Sequence, residues 1–371
     1  MAFSCMGSIH SMANVRKTVA QAIPFSGSVL MLSMAGSSSA TISALWNSLN
    51  GTGSTLIAVS NGITPFSGGV NYISTDGGNT WASSSSPTTD NNFRQVAVSY
   101  NGVHRLYCVN NANATATSFT GANCSNNSGT SYTRTVLAAC TGAFLSDDGS
   151  VKIIAINNSG YYRIYNSPTT NTFSTFITSA TSKGDIKGSS NGQYLLNFSG
   201  DSGTLISTNY GASWSSLAGV SGMTGSTTTN MGLGAVSGNG QYMIVHGAGY
   251  LVWLSTNFGS TWTTISGSGG LPNRSIYTST TNSWGAAAIN YSGQHMAICG
   301  YFNQTGGPYS TGGWVFISND YGVNWTAKTI PLVNNNAEPS FQFSTMNYNA
   351  SFVPIKLFIT TYGQGIYVCD Y

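Results

Sequence analysis

Acid–base chemistry is the first thing to look for, and this chain has little to offer it: nine acidic side chains in 371 residues, with Glu338 the single glutamate. Glycoside cleavage by the common route needs two carboxyl groups about 5–9.5 Å apart. Asp147 and Asp148 sit together in a Ser-Asp-Asp-Gly turn, and Asp76 and Asp320 each occupy a Ser-x-Asp-x-Gly-x-x-Trp phrase. Asp90, Asp185, Asp201 and Glu338 lie in other connections, and Asp201 and Glu338 are the carboxylates whose change would report on hydrolysis. His10, His104, His246 and His295 lack metal-ligand spacing, so turn or strand-face roles are expected and zinc is not. Ser83 to Ser86 have no nucleophile-elbow context, and no phosphate loop appears. No catalytic residue, metal or cofactor is implied.

The elements that would position any site come from a repeat. The phrase stands at Ser74, Asp76, Gly78 and Trp81; at Ser207, Asn209, Gly211 and Trp214; at Ser255, Asn257, Gly259 and Trp262; and at Ser318, Asp320, Gly322 and Trp325. A looser copy keeps Ser125, Asn127 and Gly129 but has Tyr132 for Trp, and another is nearly erased, retaining Asn166, Thr170 and Phe173. The Asp or Asn can accept backbone N–H groups as in an Asx-turn. Gly permits a positive φ, the Ser adds a side-chain-to-backbone bond, and the aromatic ring can wedge between sheets. Asn127, Asn209 and Asn257 stand where Asp76 and Asp320 stand elsewhere. An amide keeps the acceptor oxygen and gives up the charge, so the phrase is expected to fold the chain rather than to catalyse or bind calcium.

A second turn precedes each phrase, as at Ser99–Gly102, Ser146–Gly149, Ser189–Gly192, Ser237–Gly240 and Asn290–Gly293, and an apolar strand follows it. One unit therefore reads strand A, tight turn, strand B, variable loop, strand C, phrase, strand D. Four strands every ~40–50 residues is the arithmetic of a propeller blade. The reading is an all-β, seven-bladed β-propeller over residues 41–371, its last blade built from 41–49 and 341–371, so that strands from both termini close the ring and hide its edge. Six or eight blades also satisfy the spacing. Residues 1–40 form a separate arm outside the propeller.

The phrase resembles the Asp-box, or BNR, repeat of sialidase-like β-propellers, which implies Asp-box turns between strands C and D. The wording Asn-Gly-Gln-Tyr followed by Ser-Thr-Asn-x-Gly-x-x-Trp also looks like repeat proteins of large DNA viruses. Sialidase chemistry would imply three arginines, a Tyr–Glu pair and an acidic donor. The family's Phe/Tyr-Arg-Ile-Pro motif is absent; Phe93-Arg94-Gln95-Val96 is the nearest string, and Arg94, Arg105, Arg134, Arg163 and Arg274 are the propeller's arginines. Strand alternation places the A–B and C–D turns on one face, with the B–C loops and blade links on the other. The larger insertions, 62–71, 110–122, 267–283 and 301–313, belong to that second face and carry Phe66, Phe119, Tyr277 and Tyr309. With Asp201 and Glu338 they form the candidate binding face.

Composition narrows the class. Charged residues are 6% of the chain against a usual ~25%, and the net charge of +3 has no basic stripe, so nucleic acid is not an expected partner. Among six cysteines there is no CxxC pair; buried thiols are expected, and Cys108 with Cys124 is the one disulfide worth testing. Arg16-Lys17 precedes an apolar run that faintly resembles a signal peptide, but Gln21, Pro24 and Gly27 interrupt it. It is too broken for a membrane span. The expectation is a non-enzymatic assembly or attachment protein of a virion or outer surface. It would bind other structural proteins through its arm and loops. A carbohydrate-binding or glycan-cleaving propeller is the alternative.

Overall fold

A computed structural model of the chain describes residues 28–30, 45–61, 71–84, 93–109, 121–136, 140–156, 159–171, 173, 175–178, 184–199, 203–217, 231–247, 251–272, 283–302, 312–330, 340–348, 354–362 and 365–370. All regular structure there is β except a short turn of helix at Leu217. The strands begin with β1 (Ser28–Leu30), followed by β2 (Leu45–Asn50), β3 (Leu56–Asn61), β4 (Asn71–Ser74) and β5 (Ala82–Ser83). The next set is β6 (Phe93–Val98), β7 (Arg105–Val109), β8 (Gly121–Ser125) and β9 (Thr133–Val136). Then come β10 (Cys140–Leu145), β11 (Lys152–Ile156), β12 (Gly160–Ile164) and β13 (Thr175–Thr178). The fourth set is β14 (Ile186–Gly188), β15 (Leu195–Ser199), β16 (Gly203–Ser207) and β17 (Ser215–Ser216). The fifth is β18 (Met231–Val236), β19 (Met243–Gly247), β20 (Val252–Ser255) and β21 (Thr263–Thr264). The sixth is β22 (Ser283–Ile289), β23 (Met296–Phe302), β24 (Gly312–Ser318) and β25 (Thr326–Ile330). The chain closes with β26 (Ser340–Tyr348), β27 (Pro354–Tyr362) and β28 (Gly365–Asp370).

These strands make a β-propeller of six sheets, not the expected seven. Five sheets have four antiparallel strands in chain order and one has eight. The count falls because a single pairing, Leu45 with Tyr362, joins β2 to β27 and fuses the first unit to the last. Two further expectations are corrected by pairing. The strand at 45–50 is not the outer strand of the last unit; it pairs along its length with β3 and begins the first. The outer strand of the last unit is β1, whose Ser28, Val29 and Leu30 pair with Val368, Tyr367 and Ile366. The segment expected as an arm outside the propeller thus contributes a strand to it. Short strands at the rim escaped detection because three residues carry no readable alternation.

The inner strands line a common cavity of about 100 Å³, reached by Leu49, Ala97, Ala143, Gly188, Ala235 and Ala287. Middle strands β7, β8, β11 and β16 are buried at every position, because both of their faces pack on neighbouring sheets. Hydrophobic layers between sheets follow, such as Ile244, Leu254, Trp284, Ile298, Phe316 and Trp325. Outer strands β5, β17 and β21 have two exposed residues each, and so short an edge offers little template for aggregation.

Candidate functional site

The phrase residues form one turn, repeated. In the first copy Ser74 Oγ accepts from Gly78 N at 2.8 Å and donates to Asp76 Oδ1 at 2.8 Å, and Asp76 Oδ1 accepts from Thr80 N at 2.9 Å. The copies with Asn keep those bonds: Gly259 N donates to Ser255 Oγ at 2.9 Å and Thr261 N to Asn257 Oδ1 at 2.9 Å. Asn127 and Asn209 hold Ser131 N and Ser213 N at 3.0 and 2.9 Å, and Asp320 holds Asn324 N at 2.9 Å. The second side-chain atom follows the chemistry of the residue. Asp76 Oδ2 accepts from Thr80 Oγ1 at 2.6 Å, whereas Asn209 Nδ2 donates to Ser213 Oγ at 2.9 Å. Carboxylate and amide are interchangeable here because a hydroxyl can donate or accept. Gly259 has φ 78°, and a Cβ there would meet Ile206 Cδ1 at 2.2 Å, so a side chain would strain the backbone and displace the isoleucine methyl.

The aromatic residue of the phrase docks in two ways. Trp81, Trp262 and Trp325 are buried and donate Nε1–H to the carbonyls of Gly78, Gly259 and Gly322 at 3.2, 3.0 and 2.9 Å. Trp214 instead stacks on Tyr161, centroids 4.4 Å apart, and Tyr132 meets Tyr107 edge-on at 5.5 Å. The nearly erased copy is held by a residue that sequence reasoning missed. Lys152, buried in β11, donates Nζ–H to the carbonyls of Pro168 and Thr170 at 2.8 Å each and of Ser167 at 3.4 Å. A lysine 14 positions before Asn166 gives no local signal of this role.

The described carboxylates are mostly tied up in turns. Burial alone would raise the carboxyl pKa of Asp76, Asp148 and Asp320, but hydrogen bonds from Thr80 and Ser74, from Ser146 and Ser150, and from Asn324 and Ser318 hold it below the usual range. Asp147 Oδ1 accepts from Thr52 Oγ1 at 2.9 Å. Asp185 differs. It is buried beside the start of β14, pairs with Lys187 at 3.2 Å and accepts from Gln95 Nε2, while Gln95 Oε1 accepts from Ala143 N at 2.6 Å. Burial raises its pKa against the opposing pull of Lys187. Ser48 Oγ and Asn50 Oδ1 likewise accept Val96 N and Val98 N at 3.2 and 3.0 Å. These bonds satisfy the free backbone edges of inner strands, which gives the Gln95–Asp185–Lys187 group a structural task. Among the described residues no cluster of His, Cys, Asp or Glu is arranged to hold a metal.

Other expectations find simple places. His104 Nδ1 and His295 Nδ1 meet Asn126 and Asn319 side chains at 3.0 and 2.9 Å. His246 is buried in β19, and burial pushes its pKa down to about 3. Cys108, Cys124, Cys140 and Cys299 are buried free thiols, so no Cys108–Cys124 disulfide forms. Cys108 instead hydrogen-bonds to Cys140 of the next sheet, and burial pushes its thiol pKa well up. Phe66, Phe119, Asp201, Tyr277, Tyr309 and Glu338, the expected binding face, lie outside the described residues.

The turn face holds an aromatic sector that the sequence reading passed over. The fourth phrase position is Tyr210, Phe258 and Tyr321 in three consecutive units, and all three have positive φ, at 62°, 59° and 61°. Each ring leans on a tyrosine of the preceding unit: Tyr210 on Tyr165 at 4.8 Å, Phe258 on Tyr194 at 4.9 Å, Tyr321 on Tyr242 at 5.2 Å. Tyr165, Phe258 and Tyr321 remain 49%, 40% and 41% exposed. A left-handed conformation costs a residue with a Cβ roughly 1–2 kcal/mol, and an aromatic pair returns ~0.5–1.5 kcal/mol. The two nearly cancel. The first copy has Gly77 at this position, with φ 70°, so the turn itself does not require an aromatic. An aromatic at one phrase position in three copies was the signal available in the sequence.

No family model and no curated protein matches this chain. Among solved structures, YCF48 bound to a D1 peptide is similar, with a TM-score of 0.55, 13% identity and coverage of 88% of this chain and 93% of that one. An ancestral GH74 enzyme is similar over 88% of this chain and 46% of its own, with a TM-score of 0.57 and 14% identity, so this chain spans under half of it. At such identities the likeness extends to the propeller fold and no further. Among the described residues no helix is long and apolar enough to cross a membrane.

Proposed function

We propose that this propeller is a non-enzymatic binding scaffold, an assembly or attachment module of a virion or outer surface. Its repeated turns are read as Asp-boxes that fasten each unit. Partners would be other structural proteins, engaged through the N-terminal segment that precedes β1 and the long loops; a glycan-binding or glycan-cleaving propeller is the alternative. One observation carries the non-enzymatic reading: of the described side-chain carboxylates with assigned partners, Asp76, Asp147, Asp148 and Asp320 are held within or between turns and Asp185 is engaged by Gln95 and Lys187. Carboxyl groups held in this way spend their lone pairs on the donors of the turns and strands around them. Both kinds of use occur on this fold, since one similar structure holds a peptide and another is an enzyme.

The test is turnover of a glycoside panel, sialosides included, by the purified full chain. No hydrolysis is expected. Hydrolysis that disappears on Asp185→Asn, Asp201→Asn or Glu338→Gln would overturn the reading.

A further inference from the structure

We propose that the turn face, across the three aromatic pairs from Tyr165 to Tyr321, binds a neutral polysaccharide. The inference rests on reading the propeller as a binding scaffold, and it places a ligand on the face that carries the A–B and C–D turns. The pairs Tyr165–Tyr210, Tyr194–Phe258 and Tyr242–Tyr321 bridge successive units; in the last two the tyrosine stands just before the second strand of its unit, and in the first it follows the third strand, β12. Beside two of the rings stands an exposed amide–hydroxyl pair from the same phrase, Asn209 with Ser213 and Asn257 with Thr261. Rings flanked by hydroxyls and amides give an apolar platform edged with groups that can donate or accept.

Two features select the ligand. A surface that repeats suits a ligand that repeats, and a polysaccharide offers alternate apolar ring faces and hydroxyl edges at each residue. Charge points the same way. Arg163 lies at one end, its guanidinium 4.6 Å from the Tyr165 ring and its Nε–H donating to Tyr210 O at 2.6 Å. Asp320 lies at the other, its carboxylate taken by Asn324 and Ser318. The amides between them carry no charge, so the sector has nothing to hold a polyanion along its length. The stacking of the rings on one another offsets the strain at Tyr210, Phe258 and Tyr321 without exceeding it. Tyr210 is half-buried against the layer of Ile153, Tyr161 and Leu205, whereas an added interaction through the exposed faces of Phe258 and Tyr321 accounts for aromatics where the first copy is content with Gly77.

The experiment titrates the full chain calorimetrically with cellohexaose, xylohexaose, chitohexaose and mannohexaose. A heparin hexasaccharide and a proline-rich peptide serve as competing ligand classes. Tyr210→Gly, Phe258→Gly and Tyr321→Gly are made singly and together; glycine occupies this position in the first copy, so the turn should persist, and thermal melts check that it does. At least one neutral hexasaccharide should bind, weakened about tenfold by a single change and lost in the triple variant, with the melting temperature little altered. The proposal fails if no neutral hexasaccharide binds at millimolar concentration, if the triple variant binds as tightly, or if only heparin or the peptide binds. Each of those failures leaves the non-enzymatic reading standing. Release of new reducing ends would refute that reading instead, without touching the binding surface.

Discussion

Replacing Lys152 by methionine tests whether one buried cation has taken over the work of the eroded third turn. Methionine keeps most of the apolar stem and removes the ammonium. Two carbonyls, of Pro168 and Thr170, lose partners at 2.8 Å, and a third, of Ser167, loses a weaker one at 3.4 Å. Pro168 is exposed and Thr170 half-buried, so water can reach the freed carbonyls and each short bond is worth about 0.5–1.5 kcal/mol, a gross loss of ~1–3 kcal/mol for the two. Against this stands the relief of desolvation, since burial lowers the Lys152 pKa and so disfavours the charged form. The net loss should be about 1–2 kcal/mol once that relief is subtracted. In urea, with a slope of ~3 kcal/mol/M for a chain of this size, the midpoint should fall by about 0.5 M. Hydrogen exchange should quicken selectively in residues 165–171. A variant with an unchanged midpoint and unchanged exchange there would refute the argument, and the third turn would need another explanation.

Ser255→Ala should cost about 1–3 kcal/mol in the same assay, because it strands the Gly259 N–H beside a site that is fully buried; a midpoint within error of wild type would remove the opening Ser from the account of the turn. His246 sets an acid limb. Its folded pKa of about 3 lies below the ordinary 6.5, so the unfolded chain takes up the proton first, and the stability present above pH 6.5 is lost as the pH falls. The slope should approach ~1.4 kcal/mol per pH unit between 6.5 and 3. His246→Leu should flatten that limb, and parallel denaturation profiles for the two proteins between pH 6.5 and 4 would contradict it.

What the sequence revealed and what it withheld divide along the range of the interactions. The phrase reports itself because Ser255, Asn257, Gly259 and Thr261 bond to one another within seven residues, and such local hydrogen bonding leaves a fixed spacing. The exchange of Asn257 for Asp predicted a folding role, and the turn geometry is the same in both versions. The edges of the ring were read wrongly for the opposite reason. Whether 45–50 begins the first unit or ends the last depends on pairings with β3 and with Tyr362, and β1 finds its partner more than 330 residues away. Gln95 meets Asp185 at a separation of 90 residues, a contact that no local pattern encodes.

The aromatic sector is local in sequence, and range does not hide it. Tyr210, Phe258 and Tyr321 fall at the fourth phrase position, where Gly77 and Ser128 show that many residues are tolerated, and a tolerant position reads as uninformative. Physics ranks it otherwise. A left-handed backbone favours glycine, so a bulky ring there must be sustained by contacts the turn does not itself provide. The tyrosine beneath each ring supplies part of that, yet about two-fifths of Phe258 and Tyr321 is left to solvent. The invariant residues of the phrase hold the turn together. Its variable fourth residue is where the three consecutive units agree with one another and depart from the first, and that is where a ligand would be met.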